Sequence, residues 1–160
     1  MIRLASKADA SQVAGIYNHY IENTVVSFEE QAVSEKEIAA RIDAVIPSFP
    51  WLIYEEGDQI LGYAYASRWH GRCAYRYSAE SSVYLDASAV GRGVGSALYE
   101  RLLNELRAME LHTVIGGIAL PNPASVALHE KFGFKKVAHY EEVGFKFDRW
   151  IDVGYWQLKL

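Results

Sequence analysis

Three glycines at alternate positions, in the stretch Gly91-Arg92-Gly93-Val94-Gly95, lie just before a strongly periodic apolar segment. Such a turn at the start of a helix directs several backbone N–H groups into one hollow, where the helix dipole adds positive potential. The stretch therefore predicts an anion site that is built from main-chain donors. A Walker A loop would need a lysine after Gly95, and a dinucleotide-binding loop would need glycine or alanine in place of Ser96, so neither class is favoured. A glycine-rich turn that holds no ligand remains the alternative.

Composition excludes several other classes of protein. The chain has 160 residues, of which 51% are hydrophobic and 22% charged, so we expect a single domain over residues 1–160 with one well-packed interior. No apolar run approaches the roughly 18 residues of a membrane span, and the N-terminus lacks the apolar segment of a secretory leader, so we expect a cytoplasmic protein. The net charge of −4, without a basic run, argues against a nucleic-acid partner. A single cysteine, Cys73, excludes an intrachain disulfide, and the histidines show no metal-ligand spacing.

Hydrophobic periodicity and capping residues predict alternating strands and helices. Apolar residues at helical spacing follow capping boxes at Ser6 and Ser34, and another helix follows Gly95. Strands are predicted at residues 2–4, 51–54, 60–66, 81–85, 113–119, 137–143 and 150–158, and a short helix begins near Pro121 and ends at Gly133. The strand at 81–85, the long helix and the strand at 113–119 form a parallel βαβ unit. The last strand is apolar on both faces and is therefore predicted to be internal.

Several segments resemble one family. They are Val83-Tyr84-Leu85, the loop Val90-Gly91-Arg92-Gly93-Val94-Gly95-Ser96-Ala97-Leu98, Asn122-Pro123-Ala124-Ser125 and Leu128-His129-Glu130-Lys131-Phe132-Gly133-Phe134. Together with the order of elements, they are similar to the GNAT family of acetyl-CoA-dependent N-acetyltransferases. Asn18-His19-Tyr20-Ile21-Glu22 and Ala79-Glu80-Ser81-Ser82-Val83-Tyr84 further resemble the subgroup that acetylates phosphinothricin and methionine derivatives. The resemblance implies an α/β (α+β) GNAT fold, with a mixed, mostly antiparallel sheet, a parallel splayed strand pair and about four helices.

The resemblance implies acetyl-CoA as co-substrate and assigns a set of residues to it. The diphosphate would lie on the backbone amides of residues 91–96, and the pantetheine arm would pair with residues 83–85 as an added strand does. The implied cofactor-binding residues are Val83, Tyr84, Leu85, Val90, Gly91, Arg92, Gly93, Val94, Gly95, Ser96, Asn122 and Ser125. Val90 stands where the family usually has glutamine or arginine, so a side-chain contribution is absent there. A bulge near residues 83–85 is expected to splay the parallel strands.

The same resemblance implies two residues of the acid–base chemistry. An ammonium group has no lone pair with which to attack a thioester, so the acceptor amine must first lose a proton. Glu80 matches the general base of the subgroup, acting directly or through a water, and a solvated strand-edge carboxylate is its alternative. His129 either donates a proton to the departing thiolate or is a structural helix histidine. His19 either lines the acceptor pocket or is an ordinary core or rim residue.

Small amino-acid-like acceptors carry a carboxylate, so their pocket needs cationic partners and aromatic walls. The implied acceptor-binding residues are Phe28, Arg72, Arg76, Tyr77 and Ser78, and a solvated arginine-rich loop is the alternative. We therefore expect direct acetyl transfer, without a covalent acetyl-enzyme, to the α-amino group of a small acceptor such as phosphinothricin or methionine sulfoximine or sulfone. Acetylation of protein N-termini or polyamines, and a non-catalytic acyl-CoA sensor, remain open. The family also implies a homodimer.

Overall fold

The computed structural model describes all 160 residues of the chain. Its helices and strands are, in chain order, β1 (Ile2–Leu4), α1 (Ala10–Asn23), α2 (Glu35–Val45), β2 (Trp51–Glu56), β3 (Gln59–Arg68), β4 (Ser78–Leu85), α3 (Val94–Ala108), β5 (Thr113–Ala119), α4 (Pro123–Lys131), β6 (Lys135–Lys146) and β7 (Arg149–Lys159). The strands form one seven-stranded sheet in the order β1-β2-β3-β4-β5-β7-β6. The predicted mixed α/β architecture with four helices is confirmed.

Local hydrogen bonds explain where the first two helices begin. At the start of α2, the Ser34 hydroxyl accepts from the Glu37 amide (3.2 Å), as the predicted capping box requires. At Ser6, the Asp9 carboxylate accepts a hydrogen bond from the Ser6 amide (2.7 Å). The Arg3 guanidinium donates two further hydrogen bonds to the same carboxylate (2.7 and 2.9 Å). This network encloses a 3-10 turn before α1, so the α-helix starts three residues later than the capping pattern predicts.

The parallel pair of strands is paired over only three residues. The register of β4 and β5 is Ser78 with Thr113, Ala79 with Val114 and Glu80 with Ile115, and beyond these residues the strands separate. The prediction of a bulge near residues 83–85 is wrong, since the paired residues of β3 and β4 show no register shift. No extra residue is needed to separate the two parallel strands. β4 stays hydrogen-bonded to β3 and β5 stays hydrogen-bonded to β7, and these two ladders diverge. The predicted splay is therefore present, with a different structural cause.

Apolar residues lie in two cores, one on each face of the sheet. On one face, α3 packs Leu98, Leu102 and Leu106 onto the sheet, and all three are fully buried. On the other face, Val13 of α1 and Ile42 of α2 are fully buried beside β2 and β3. The sheet is thus a middle layer between two pairs of helices, and a hole in it would connect the two sides.

Alternation of side chains along β4 decides which residues face each layer. Ala79 and Val83 belong to the core under α3, and the Ser81 hydroxyl reaches the Tyr99 hydroxyl of that helix (2.9 Å). Tyr84 packs against the core under α1, and Glu80 lies on the same face as Tyr84. One strand therefore presents polar groups to both layers, next to the gap.

The two C-terminal strands form a long hairpin. β7 lies between β5 and β6, so its predicted internal position is confirmed, and β6 is an edge strand. Six apolar side chains of this hairpin are more than half exposed, namely Val137, Tyr140, Val143, Phe145, Phe147 and Trp150. None of the helices combines the length and the hydropathy that are required to cross a bilayer.

Candidate active site

A narrow cleft of about 50 Å³ occupies the gap between β4 and β5, and we call it the inter-strand cleft. It is lined by Val26, Ser81, Ser82, Val83, Tyr84, Tyr99, Gly117, Ile118, Ala119, Asn122, Ser125 and His129. The Asn122 side chain caps α4 by accepting from the Ser125 amide (3.1 Å). Four of the predicted cofactor-binding residues, Val83, Tyr84, Asn122 and Ser125, are thus brought together in this cleft.

A wide cavity of about 480 Å³ opens on the α1 side of the same gap. It is lined by Tyr17, Val26, Ser27, Phe28, Glu29, Glu80, Tyr84, Gly117, Ala119, Val153 and Tyr155. Four residues, Val26, Tyr84, Gly117 and Ala119, line both the cavity and the cleft. The two spaces therefore meet through the sheet, and a group that fills one can touch a group that fills the other.

Consecutive glycines of β5 leave room on both sides of this junction. A Cβ atom at Gly116 would overlap Nε2 of His129, and a Cβ atom at Gly117 would lie 3.0 Å from Cε1 of Tyr155. The rings of His129 and Tyr155 therefore lie directly against the β5 backbone, one on each face of the sheet. Larger residues at these positions would displace the rings from the cleft and the cavity.

The glycine loop, residues 90–95, carries free backbone donors. Gly91 and Gly93 have φ angles of +79° and +82°, a conformation that favours glycine. The amides of Gly91, Gly93, Val94, Gly95 and Ser96 donate no backbone hydrogen bond, because the last three belong to the first turn of α3. These free amides are the donors that the predicted anion site requires.

Side chains around the glycine loop add one unforeseen cation. The Lys131 ammonium donates to the Ser96 hydroxyl (2.9 Å), beside the free amides. Arg92 pairs instead with Glu56 (2.8 Å), and Val90 is 62% exposed. Leu85 lines neither the cleft nor the cavity, and its carbonyl oxygen accepts from the Tyr20 hydroxyl (2.7 Å). Lys131, which the sequence motif contains without assigning a role, is therefore a cation beside the predicted anion site, whereas Arg92 is already paired.

Glu80 is the carboxylate at the junction of the two spaces. Its side chain is half-buried, and burial raises the pKa of this carboxyl above its ordinary value, while the nearby His70 opposes the shift. A raised pKa makes a carboxylate a stronger base. Glu80 is therefore suited to accept a proton from a group that enters the wide cavity.

Glu29, a second carboxylate of the wide cavity, is in a different electrostatic state. The Arg41 guanidinium donates two hydrogen bonds to it (2.7 and 2.9 Å), and the Tyr17 hydroxyl donates a third. These contacts, with that of Arg41 the largest, hold the pKa of Glu29 below its ordinary value. Glu29 is therefore an ionised and paired wall of the cavity rather than a proton acceptor.

A hydrogen-bonded chain of side chains lies on the cleft side. The His129 ring, only 4% exposed, places Nδ1 2.7 Å from the Ser125 carbonyl oxygen and Nε2 2.8 Å from the Tyr99 hydroxyl. A carbonyl can only accept, so Nδ1 carries the hydrogen and the neutral ring accepts from Tyr99 at Nε2. The Tyr99 oxygen in turn accepts from the Ser81 hydroxyl. Burial lowers the pKa of His129, so this neutral form is favoured.

The geometry therefore supports the structural alternative for His129. With Nδ1 donating to a carbonyl and Nε2 accepting from Tyr99, the neutral ring has no proton free for a departing thiolate. Its effect is to orient the Tyr99 hydroxyl within the cleft. His19 is exposed on α1 and lines neither the cleft nor the wide cavity.

Of the predicted acceptor-binding residues, only Phe28 lines the wide cavity. Arg76 stacks on Tyr77 (4.6 Å from guanidinium carbon to ring centroid) and donates to the Cys73 carbonyl oxygen (3.2 Å). Ser78 pairs with Thr113 at the closed end of the parallel strands. Arg76, Tyr77 and Ser78 therefore lie outside the cavity.

Arg72 lines a neighbouring hollow of about 400 Å³. His70, Gly71 and Tyr75 complete that hollow. It lies beside the wide cavity, because the Trp69 ring packs against His70 of the hollow (4.5 Å between ring centroids) and edge-on against Tyr155 of the cavity (5.7 Å). Arg72 is therefore the member of the arginine-rich loop that is placed next to the cavity.

Sequence patterns missed several walls of the wide cavity, including Tyr17, Glu29, Val153 and Tyr155. Tyr17 belongs to the apolar periodicity of α1, which conceals the role of its hydroxyl. Glu29 lies in a connection with no regular pattern. Val153 and Tyr155 are separated by two positions of β7, so strand alternation places both on one face and is the signal that could have found them.

Burial of a neutral His129 predicts a specific pH dependence of stability. A histidine with a lowered folded-state pKa takes up protons more readily when unfolded, so its contribution is complete above about pH 6.5 and is lost as pH falls below that value. We expect the free energy of unfolding to fall by up to about 1.4 kcal/mol per pH unit in this range, in addition to the effect of the carboxylates. Denaturant unfolding of wild type and His129→Gln between pH 5 and 7.5 measures the difference. Parallel curves for the two proteins would contradict the account.

Comparison with known proteins gives consistent matches over the chain. Residues 2–154 match the model of the acetyltransferase (GNAT) domain. A phosphinothricin N-acetyltransferase of Streptomyces viridochromogenes is 37% identical over 156 residues, covering 98% of this chain and 85% of that protein. An L-methionine sulfoximine/L-methionine sulfone acetyltransferase of Salmonella typhimurium is 36% identical over 160 residues, covering 99% of this chain and 94% of that protein.

A solved structure agrees with these relatives in fold. The crystal structure of a GNAT phosphinothricin acetyltransferase from Sinorhizobium meliloti, in complex with AcCoA, has a TM-score of 0.96 and 34% sequence identity. The match covers 100% of this chain and 88% of that chain. On the family match, the relatives and the shared fold, the chain belongs to the GNAT acetyltransferase family.

Proposed function

We propose that this protein is an acetyl-CoA-dependent N-acetyltransferase that transfers an acetyl group directly to the α-amino group of a small amino-acid-like acceptor. The observation that carries the proposal is the meeting of the inter-strand cleft and the wide cavity, with the Glu80 carboxylate on the cavity side. A thioester in the cleft and an amine in the cavity would come together at this junction. The names of the two relatives described above support the acceptor class.

The residues on the cleft side fit acetyl-CoA. The free amides of Gly91, Gly93, Val94, Gly95 and Ser96, together with the Lys131 ammonium, suit a diphosphate. Beyond Glu80, the edge of β4 that faces β5 has no strand partner, so it can pair with the amide groups of a pantetheine arm. When bound, acetyl-CoA supplies the acyl thioester that the acceptor amine attacks.

Glu80 is the residue that takes the proton of the acceptor ammonium. A free α-amino group has a pKa of about 8, so most of it is protonated at neutral pH. The raised pKa of Glu80 reduces the difference in basicity between the carboxylate and the amine. His129 is the positioning residue of Tyr99 in this scheme. The exposed Cys73 lies outside both spaces, which supports transfer without a covalent acetyl-cysteine.

The shape and charge of the wide cavity favour a small acceptor with its own carboxylate. Its volume of about 480 Å³ lies within the range of roughly 300–1,000 Å³ that is usual for small-molecule sites. Glu29 is already paired with Arg41, so a polyamine would find one unpaired carboxylate, that of Glu80. Arg72, in the hollow beside the cavity, is the guanidinium assigned to the acceptor carboxylate. Protein N-termini remain an alternative that an acceptor panel would reveal.

Replacing the proposed base tests the chemistry. Glu80→Gln keeps the shape of the side chain and removes its basicity, so kcat should fall by about 10²- to 10⁴-fold. The dissociation constant of acetyl-CoA, measured by calorimetry, should be unchanged, and Glu22→Gln on the exposed face of α1 should have wild-type activity. Wild-type turnover by Glu80→Gln would refute its role. Binding of acetyl-CoA without transfer to any amine would support the sensor alternative.

Two arginine variants test the acceptor assignment. Arg72→Ala should raise the KM for a methionine sulfone acceptor by about 10- to 100-fold, the effect of losing one charge-assisted hydrogen bond. The KM for acetyl-CoA should not change. Arg76→Ala, which removes a guanidinium already stacked on Tyr77, is the matched control and should have the wild-type KM for both substrates. Equal effects of the two substitutions would contradict a specific role for Arg72.

We also propose a homodimer that forms through the exposed apolar residues of the β6–β7 hairpin. Substitution of Phe145 or Trp150 by glutamate should convert the dimer to a monomer, because their rings pack together (4.9 Å between centroids) on this exposed face. Light scattering after size-exclusion chromatography measures the mass. Met109→Glu, at an exposed apolar position outside the hairpin, is the control and should leave the dimer intact. A wild-type protein of single-chain mass would contradict the proposal.

Three further expectations stay predictions from composition. They are the single domain over residues 1–160, the cytoplasmic location and the lack of a nucleic-acid partner.

A further inference from the structure

A lysine of β6 is buried without a carboxylate partner. Lys146 is only 3% exposed, and its ammonium donates to the Ser27 carbonyl oxygen (2.6 Å). It also lies 5.1 Å from the centroid of the Phe147 ring, and although Glu29 and Glu30 are near enough to interact with its charge, neither forms an ion pair with it. Burying a charged group is costly unless its contacts compensate. The proposed acetyl transfer gives Lys146 no role, so its burial calls for another explanation.

The other end of this contact is a wall of the wide cavity. Ser27 and its neighbours Val26, Phe28 and Glu29 all line the cavity, and these residues 26–29 form the segment that we call the cavity loop. The loop has neither helix nor strand structure. Its shape therefore depends on side-chain contacts with the surrounding elements.

Gly144 of β6 provides a second contact with the cavity loop. A Cβ atom at Gly144 would overlap the Phe28 ring, so the ring lies directly on the β6 backbone. Gly144 and Lys146 are two positions apart and share one face of β6, while Phe145 between them is exposed on the other face. One face of the strand thus holds both the backbone and a ring of the loop.

The contacts of the cavity loop come from three elements. α1 supplies the Tyr17 hydroxyl, which bonds to the Ser27 hydroxyl (2.9 Å), and α2 supplies Arg41, which pairs with Glu29. Both helices lie on the loop side of the cavity. The contact through Lys146 is different, because β6 pairs with β7, the strand that carries the wall residues Val153 and Tyr155. It therefore connects the cavity loop to the part of the sheet that supplies these two walls.

We propose that Lys146, seated with Gly144 under the cavity loop, is a positioning residue that sets the width of the acceptor cavity and thereby its selectivity for acceptor size. This inference rests on the proposed function, in that the wide cavity is the acceptor site. Lys146 lies behind the cavity loop and does not line the cavity, so it acts through the Ser27 backbone and the Phe28 ring.

Steady-state kinetics of Lys146→Met tests the proposal. Methionine has similar length but cannot donate to the Ser27 carbonyl, so the KM for the acceptor should rise by about 10- to 100-fold. The KM for acetyl-CoA and the kcat at saturating acceptor should stay within about twofold of wild type. Lys146→Arg, which retains a donor, should recover most of the affinity, and the exposed Lys135→Met on the same strand should match wild type. A fall in kcat with both KM values unchanged would overturn the proposal.

Gly144→Ala is an independent variant, since it leaves Lys146 in place and pushes the Phe28 ring towards the cavity. It should discriminate more strongly than wild type against acceptors with long side chains, as measured by kcat/KM for methionine sulfone relative to a shorter amino acid. An unchanged ratio would overturn the proposal, even if Lys146→Met does not fold.

Hydrogen exchange gives a readout that needs no turnover. In Lys146→Met, the amides of the peptide that covers residues 24–33 should exchange about tenfold faster than in wild type, while Lys135→Met should leave them unchanged. Equal exchange in wild type and Lys146→Met would show that Lys146 does not hold the cavity loop, and would overturn the proposal. A wild-type protein that acetylates no amine would instead refute the proposed function, and the exchange result would still decide whether Lys146 holds the loop.

Discussion

The early separation of β4 from β5 is the constraint on which the rest of the site depends. Each strand keeps hydrogen bonds with its other neighbour, so the sheet opens in its middle while the outer ladders stay intact. Backbone N–H and C=O groups along such a gap need partners, because an unpaired polar group that is removed from water is costly. An extended ligand with amide groups would satisfy them. The same opening removes the barrier between the two layers, which is why the cleft and the cavity share four lining residues.

The two sides of the sheet differ in how their polar groups are held. On the cleft side, Ser81, Tyr99 and His129 form a neutral chain that ends on a backbone carbonyl. On the cavity side, two carboxylates face the same space in opposite states. Burial raises the pKa of Glu80, whereas the Arg41 guanidinium lowers the pKa of Glu29. Environment rather than residue type therefore makes Glu80 the better candidate for a proton acceptor, and Glu29 a paired wall of the cavity. The two faces of the β6–β7 hairpin also differ. One face contacts the cavity loop, and the other exposes aromatic residues to solvent.

Features that depend on local patterns could be predicted from the sequence, and features that depend on distant contacts could not. Gly91 and Gly93 adopt the positive φ angles that alternate glycines allow, so the glycine loop before α3 could be predicted from the chain alone. The expected bulge in β4 was wrong because the splay is set by the neighbouring ladders. The cavity loop has no periodicity, and its partner Lys146 lies 119 residues away in the chain. Clustering of arginines indicated the loop before β4 as a candidate, but only the fold shows that Arg72, rather than Arg76, lines the hollow in that loop.

A crystal structure of the Glu80→Gln variant, which should prevent turnover, with acetyl-CoA and a methionine sulfone acceptor would show whether cofactor and acceptor meet at the gap between β4 and β5. We expect the diphosphate to lie on the amides of residues 91–96 and the thioester carbonyl to lie in the gap between β4 and β5. The acceptor nitrogen should then lie in the wide cavity, within roughly 3 Å of the residue 80 side chain or linked to it by one water. A cofactor bound elsewhere, or a gap that stays closed between the thioester and the acceptor, would contradict it.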